Sequence, residues 1–180
     1  MSPLRADAQR NYDAVVSAAR AAFAANGTQT SLDDIAEQAG VGNATLYRHF
    51  PTRDSLIVET LRLPLAELAA VARELGASSD PAAALREWIA HLGAALADWE
   101  GLADAVAASL VDEGSALRLA CQPLQLATFK LLTRAQDASG ARRDLAAEEL
   151  FDLALAIAWR GGSERYVDLV LNGLLWSSAT

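Results

Sequence analysis

Apolar residues recur at helical spacing along nearly the whole chain, in stretches punctuated by glycine. Nine of the eleven glycines fall between stretches; only Gly93 and Gly173 fall inside them. Glycine favours helix C-termini and costs ~1 kcal/mol inside a helix, so this punctuation predicts helices joined by short turns. The pieces are about 5–26, 32–39, 44–50, 53–75, 81–99, 102–111, 115–138, 144–160 and 163–176, which makes an all-α fold of nine helices. Ser31 before Leu32-Asp33-Asp34 places a hydroxyl acceptor ahead of a helix and two carboxylates in its positive first turn. Asp80-Pro81 reads as an N-cap followed by proline at the first helical position. Pro51 separates two short periodic segments, whereas Pro64 and Pro123 lie inside longer ones and predict kinks.

Composition supports helices: 40 Ala and 28 Leu stand against 9 Val and 4 Ile among 180 residues. A single cysteine, Cys121, excludes an internal disulfide framework and a cysteine-rich zinc site, and suits a reducing interior. The first residues, Met1 to Asp7, lack the apolar core of a signal peptide. No uncharged run approaches the ~18–20 residues needed to cross a bilayer, so a cytoplasmic protein without membrane contact is expected. The net charge of −8 argues against coating nucleic acid or anionic lipid by bulk attraction. Any nucleic-acid contact must come from a local patch.

Such a patch lies within residues 30–57. Two short helices flank Gly40-Val41-Gly42. Ala36 is small where the second helix must cross the first, and Gly40 supplies the positive φ of the turn. Ile35, Ala39, Val41, Leu46 and Phe50 have the spacing to share one core. These offsets describe a helix-turn-helix over about 31–50, whose second helix enters the major groove of double-stranded DNA. Its outward positions are expected to be Asn43, Ala44, Thr45, Tyr47, Arg48 and His49. Asn, Thr and Arg suit base edges, while Ala and Thr methyls suit the thymine methyl. Tyr47 and His49 offer reach to phosphates, Arg53 a second phosphate clamp, Ser31 a further backbone contact, and Arg5 and Arg10 an N-terminal arm. On pattern alone, a helical hairpin with solvated polar residues explains this stretch as well.

These residues closely resemble the DNA-binding domain of the TetR family of bacterial transcriptional regulators. Ile35-Ala36-Glu37, Ala39-Gly40-Val41 and Thr45-Leu46-Tyr47-Arg48-His49-Phe50 form its diagnostic signature. The likeness extends to Ala14 through Phe23, Asn26-Gly27, Arg53, Leu56 and Ile57. It implies that Tyr47 contacts phosphate and that Asn43, Ala44 and Thr45 help read sequence. The chain departs from the family at Gly42, where many members have a capping Ser, so capping is expected to pass to Asn43. Arg53 replaces the frequent Lys. The implied division is 1–52 for DNA binding and 53–180 for a helical ligand-binding and dimerisation domain.

Charge divides unevenly, with −2 over residues 1–60 and −6 over 61–180. So few cations near the motif imply modest affinity per half-site and reliance on a homodimer that spans a palindromic operator. Leu150, Leu153 and Ile157, with Tyr166, Val167, Val170 and Leu174, make apolar faces on the last two helices. They are expected to form the dimer interface, completion of the monomer core being the plainer alternative. Trp88, Trp99, Cys121, Gln125, Phe129 and Trp159, with His91 at the margin, outline a candidate pocket. Aromatics at helical spacing are more often simple packing residues, but many Ala between a few large rings leave room for a small apolar or amphipathic effector. The resemblance implies such a pocket and a repressor released by its effector. The alternative is a DNA-binding regulator governed by a protein partner or by abundance. An enzyme is not expected: the chain has only two His, no metal-binding His pair, no phosphate-cradling glycine loop and no catalytic constellation, and no cofactor or metal is implied.

Overall fold

The computed structural model describes the backbone of residues 3–159 and 164–174, with side chains for 6–158 and 165–173. The side chains of Arg5, Trp159 and Leu174 therefore lie outside the described residues. Within them the chain forms nine helices and no strand: α1 (Pro3–Asn26), α2 (Leu32–Gln38), α3 (Asn43–His49), α4 (Arg53–Gly76), α5 (Pro81–Ala97), α6 (Leu102–Leu110), α7 (Ala116–Asp137), α8 (Ala147–Trp159) and α9 (Glu164–Leu174). None is long and apolar enough to cross a membrane.

Local chemistry sets most of these ends. Ser31 caps α2 by accepting from the amides of Asp33 and Asp34, and the Asp80 carboxylate accepts from Ala83 N ahead of Pro81. Thr52 and Ser55 form a reciprocal capping box at the start of α4. Pro64 and Pro123 are carried inside α4 and α7. Helix α8 starts three residues later than the periodicity predicts. Gln136 Nε2 donates to the carbonyls of Arg142 and Leu145, and the Glu149 carboxylate accepts from Ala146 N, so 142–146 forms a held turn.

Helices α1–α3 build a small head around Val15, Ala19, Phe23, Ile35, Ala36, Leu46 and Phe50, all buried. Helix α4 leaves this head and joins the bundle, burying Leu56, Ile57 and Leu61 on the way. Helix α5 sits at the bundle's centre, touching α4, α6, α7, α8 and α9. Its fully buried Trp88 donates from Nε1 to Thr128 Oγ1 at 2.8 Å, and Thr128 in turn donates to Leu124 O. A buried indole N–H left unpaired would cost roughly 1–3 kcal/mol, so this chain of bonds is what allows the ring to be interior. Arg86 of α5 ties down α9 through Asp168 Oδ1 (2.9 Å) and Asn172 Oδ1 (2.8 Å).

Head and bundle meet at two turns. Thr28 N donates to Glu100 O at 2.8 Å. Both flanking glycines are left-handed, Gly27 at φ +79° and Gly101 at φ +76°. A Cβ at Gly27 would lie 2.8 Å from Glu100 O, and one at Gly101 would lie 2.8 Å from Thr28 Oγ1. Only glycine gives both the conformation and the approach. Phe23 and Trp99 meet at a tilt across the same joint, centroids 5.9 Å apart.

Candidate nucleic-acid interface and effector cavity

The second motif helix, α3, presents Asn43, Ala44, Tyr47 and Arg48 to solvent, with Thr45 half-buried and Leu46 anchoring the inner side. Tyr47 is 46% exposed, high for a tyrosine in a small packed head. The turn behaves as its glycine predicts, with Gly40 at φ +68°. Three neighbours are placed differently from expectation. Gly42, not Asn43, is the N-cap of α3, and no side chain caps it. Asn43 Nδ2 instead donates to Asp33 Oδ1 at 2.8 Å and ties α3 to α2.

His49 turns inward. Its ring meets Tyr12 edge-on at 5.8 Å, and its Nε2 is buried without a hydrogen-bond partner among the described residues. Seven residues of α3 make about two turns, so the residue two places after Tyr47 falls on the opposite side, over α1. Burial, with the neighbouring Glu59 carboxylate, pushes the Tyr12 phenol up to about 12.

Arg53 is occupied as well. Its Nη1 donates to Thr28 O (2.8 Å) and Thr30 O (2.6 Å), across more than twenty residues. It braces the loop before α2 rather than standing free as a phosphate clamp. Ser31 keeps an exposed position but its hydroxyl accepts from two backbone amides, and Arg10 is exposed and pairs with Asp7 on its own helix.

The six candidate pocket residues with described side chains separate. Trp99 and Cys121 line an interior apolar cavity of about 50 Å³ enclosed by α4–α8, together with Pro64, Leu68, Leu92 and Phe151. Burial pushes the Cys121 thiol up to about 11. Trp88 is sealed in the core by its bond to Thr128, and His91 is exposed beside Glu87. Gln125 and Phe129 face a different, open cleft between α7 and α8. Leu61, Leu65 and Leu124 line the cavity without having been singled out from sequence. No residue-type signal marked them, because ordinary core leucines and cavity-lining ones share one pattern.

The expected dimer residues separate too. Leu150, Ile157 and Val167 are buried within the chain, Ile157 over Gly93 of α5. They complete the core and have no surface left for a partner. Leu153 and Val170 are half-buried and Tyr166 is 41% exposed, next to Leu169 at 61%.

Comparison with known proteins bears on this arrangement. Residues 15–60 match the sequence profile of the bacterial regulatory proteins of the TetR family, and residues 80–175 match that of the SbtR-like transcriptional regulator C-terminal domain. A TetR transcriptional regulator from Streptomyces coelicolor is 33% identical over 92% of this chain and 99% of its own, with a TM-score of 0.58. The chain belongs to the TetR family. It is a DNA-binding transcriptional regulator and not an enzyme, with the helix-turn-helix head and helical C-terminal domain of that family.

A TetR regulator from Mycobacterium vanbaalenii is 34% identical over 97% of this chain and all of its own, with a TM-score of 0.53. The regulator FadR from Bacillus subtilis, solved in complex with stearoyl-CoA, shares the fold at 17% identity, covering 90% of this chain and 98% of its own with a TM-score of 0.62. No curated protein sequence matches the chain. TetR proteins bind DNA as dimers.

Proposed function

We propose that this TetR regulator is a homodimeric repressor, released from a palindromic operator by a small apolar or amphipathic effector. In this reading α3 enters the major groove with Ala44, Thr45 and Arg48 toward base edges and Tyr47 toward phosphate. Asn43 and Arg53 act mainly by holding α3 and the loop before α2 in place. Ser31 and Arg10 supply backbone contacts at the edge of the interface. The dimer forms through the outward side of α8 and α9, where Leu153, Tyr166, Leu169 and Val170 remain open.

One observation carries the effector reading. Trp99 lines the interior cavity and packs against Phe23 of the head, and the carbonyl of the next residue, Glu100, holds Thr28 N. A ligand that enlarges the cavity therefore presses on the joint to the DNA head. Such a ligand shifts the population away from the DNA-binding form only by its preference for the expanded state. Pockets for drug-sized ligands hold roughly 300–1,000 Å³, so an effector of that size would have to enlarge the 50 Å³ cavity in order to bind. The stearoyl-CoA carried by FadR supports an amphipathic effector by analogy of fold alone.

The same small volume favours a second reading, a DNA-binding regulator without a small-molecule effector, controlled by a protein partner or by abundance. The deciding experiment selects bound genomic fragments, then titrates apolar and amphipathic compounds against the purified complex in a mobility-shift assay. Release by at least one compound, with a matching rise in melting temperature of the free protein, is the expected result. Operator retention across the panel, with no thermal shift, overturns effector control and leaves the second reading.

A further inference from the structure

A groove of about 530 Å³ runs along the outer seam between α4 and α7. Its floor is small and apolar, with Ala69, Ala72 and Gly76 on α4 facing Pro123 and Ala127 on α7. Arg73, Lys130 and Arg134 line it, and no carboxylate does. Two other open clefts pair their cation with acids: Arg118 with Glu148 and Asp152, and Arg142 with Asp144, Glu149 and Asp152. In a chain of net charge −8, a cation-only apolar groove is an exception, and it holds the protein's single lysine. Arg134 is occupied by the carbonyls of Leu75 and Ser78, near the C-terminus of α4. Arg73 and Lys130 are exposed and have no carboxylate partner among the described residues.

We propose that this groove binds a long-chain fatty carboxylate, its chain along the alanine floor and its head between Arg73 and Lys130. The volume is that of a small-molecule site, whereas a docked helix would need about 800 Å² from each partner. The chemistry matches on both counts: two free charges suit one carboxylate, and a methylene chain suits a floor without polar side chains. The same two helices carry the interior cavity one face round, through Leu65 and Leu68 on α4 and Cys121 and Leu124 on α7. A chain seated in the seam therefore wedges between the helix that bears the DNA head and its main packing partner. This goes beyond the effector reading above by adding a second site, and the test below measures binding without DNA, so the two fail separately.

Because Lys130 is the only lysine, amine acylation read by mass spectrometry reports on one side chain and the chain's α-amine. Hexadecanoate below its micelle-forming concentration should slow Lys130 acylation several-fold and leave the α-amine unaffected, while hexadecan-1-ol should not. In direct titration, Arg73→Gln with Lys130→Gln should weaken hexadecanoate binding about tenfold or more, the loss expected for charge-assisted bonds. Arg143→Gln, away from the groove, should leave it unchanged, and unaltered melting curves show that the variants fold. Equal binding of acid and alcohol, or no protection of Lys130, overturns the proposal. So does protection by an acidic helical peptide alone, which would make the groove a protein-docking site.

Discussion

The DNA head and the C-terminal bundle use the same raw material, apolar residues at helical spacing, in opposite ways. In the head, the side chains left outside are the ones proposed to work, and the packed ones serve only to aim them. In the bundle, the spaces between side chains matter, and a residue's importance depends on which void it borders. Trp88 and Trp99 sit on one helical segment and its exit turn. One is locked in the core by Thr128, while the other lines the cavity and leans on the head. A surface site is thus a property of residues, and a cavity is a property of packing.

The largest effect should come from testing Trp88 as core. Trp88→Ala removes a fully buried ring and leaves Thr128 without its donor, costing about 3–5 kcal/mol in a denaturant melt. Loss of effector response at unchanged stability would instead restore Trp88 to the pocket and blur the contrast. On the head, Arg48→Ala should weaken operator binding by about 1–3 kcal/mol in a titration, without moving the melt. A change in stability of the same size would mean that Arg48 is structural.

The proposed dimer face sharpens the division within the bundle. Leu169→Glu should halve the mass seen in sizing chromatography at micromolar concentration and abolish cooperative operator binding, because a charge would enter an apolar contact. A dimer that persists would place the interface elsewhere. At the joint, Gly27→Ala imposes a left-handed alanine and a close approach to Glu100 O. It should cost about 1–3 kcal/mol of stability and shift the effector response more than the basal DNA affinity.

The smallest effect is alkaline. Cys121 and Tyr12 both have folded-state pKa values raised above their ordinary ones, to about 11 and about 12. The sign follows: each contributes stability that is complete below its unfolded pKa and withdrawn as pH rises toward the folded value. Cys121 therefore loosens the bundle between about pH 9 and 11, and Tyr12 the head between about pH 10 and 12. Thiol alkylation should lag that of a free cysteine at pH 8, and an absorbance titration should show a tyrosine ionising near 12 that is lost in Tyr12→Phe.

What could be read from the chain beforehand follows the range of the forces involved. Ser31, Asp80 and Gly40 act on atoms two to four residues away, so the caps, the turn and the helix order were legible from spacing. Arg53 reaches carbonyls 23 and 25 residues upstream, and nothing in its neighbourhood signals that it is already engaged. The type of His49 suits phosphate and points outward, whereas its helical phase sets it against Tyr12. In α8 and α9 an apolar face can be counted from sequence. Which of its residues α5 covers cannot, because that depends on Gly93 and Arg86 more than sixty residues earlier.

The two left-handed glycines at the joint have a consequence for how such a molecule can be recombined. Contact there runs from backbone to backbone, Thr28 N to Glu100 O, with side-chain bulk excluded on both sides. The coupling is thus written in chain geometry and in a single aromatic pair, Phe23 against Trp99. A reading head grafted from another member of the family should plug into this sensor, provided that it brings its own glycine at the position of Gly27 and an aromatic ring at that of Phe23.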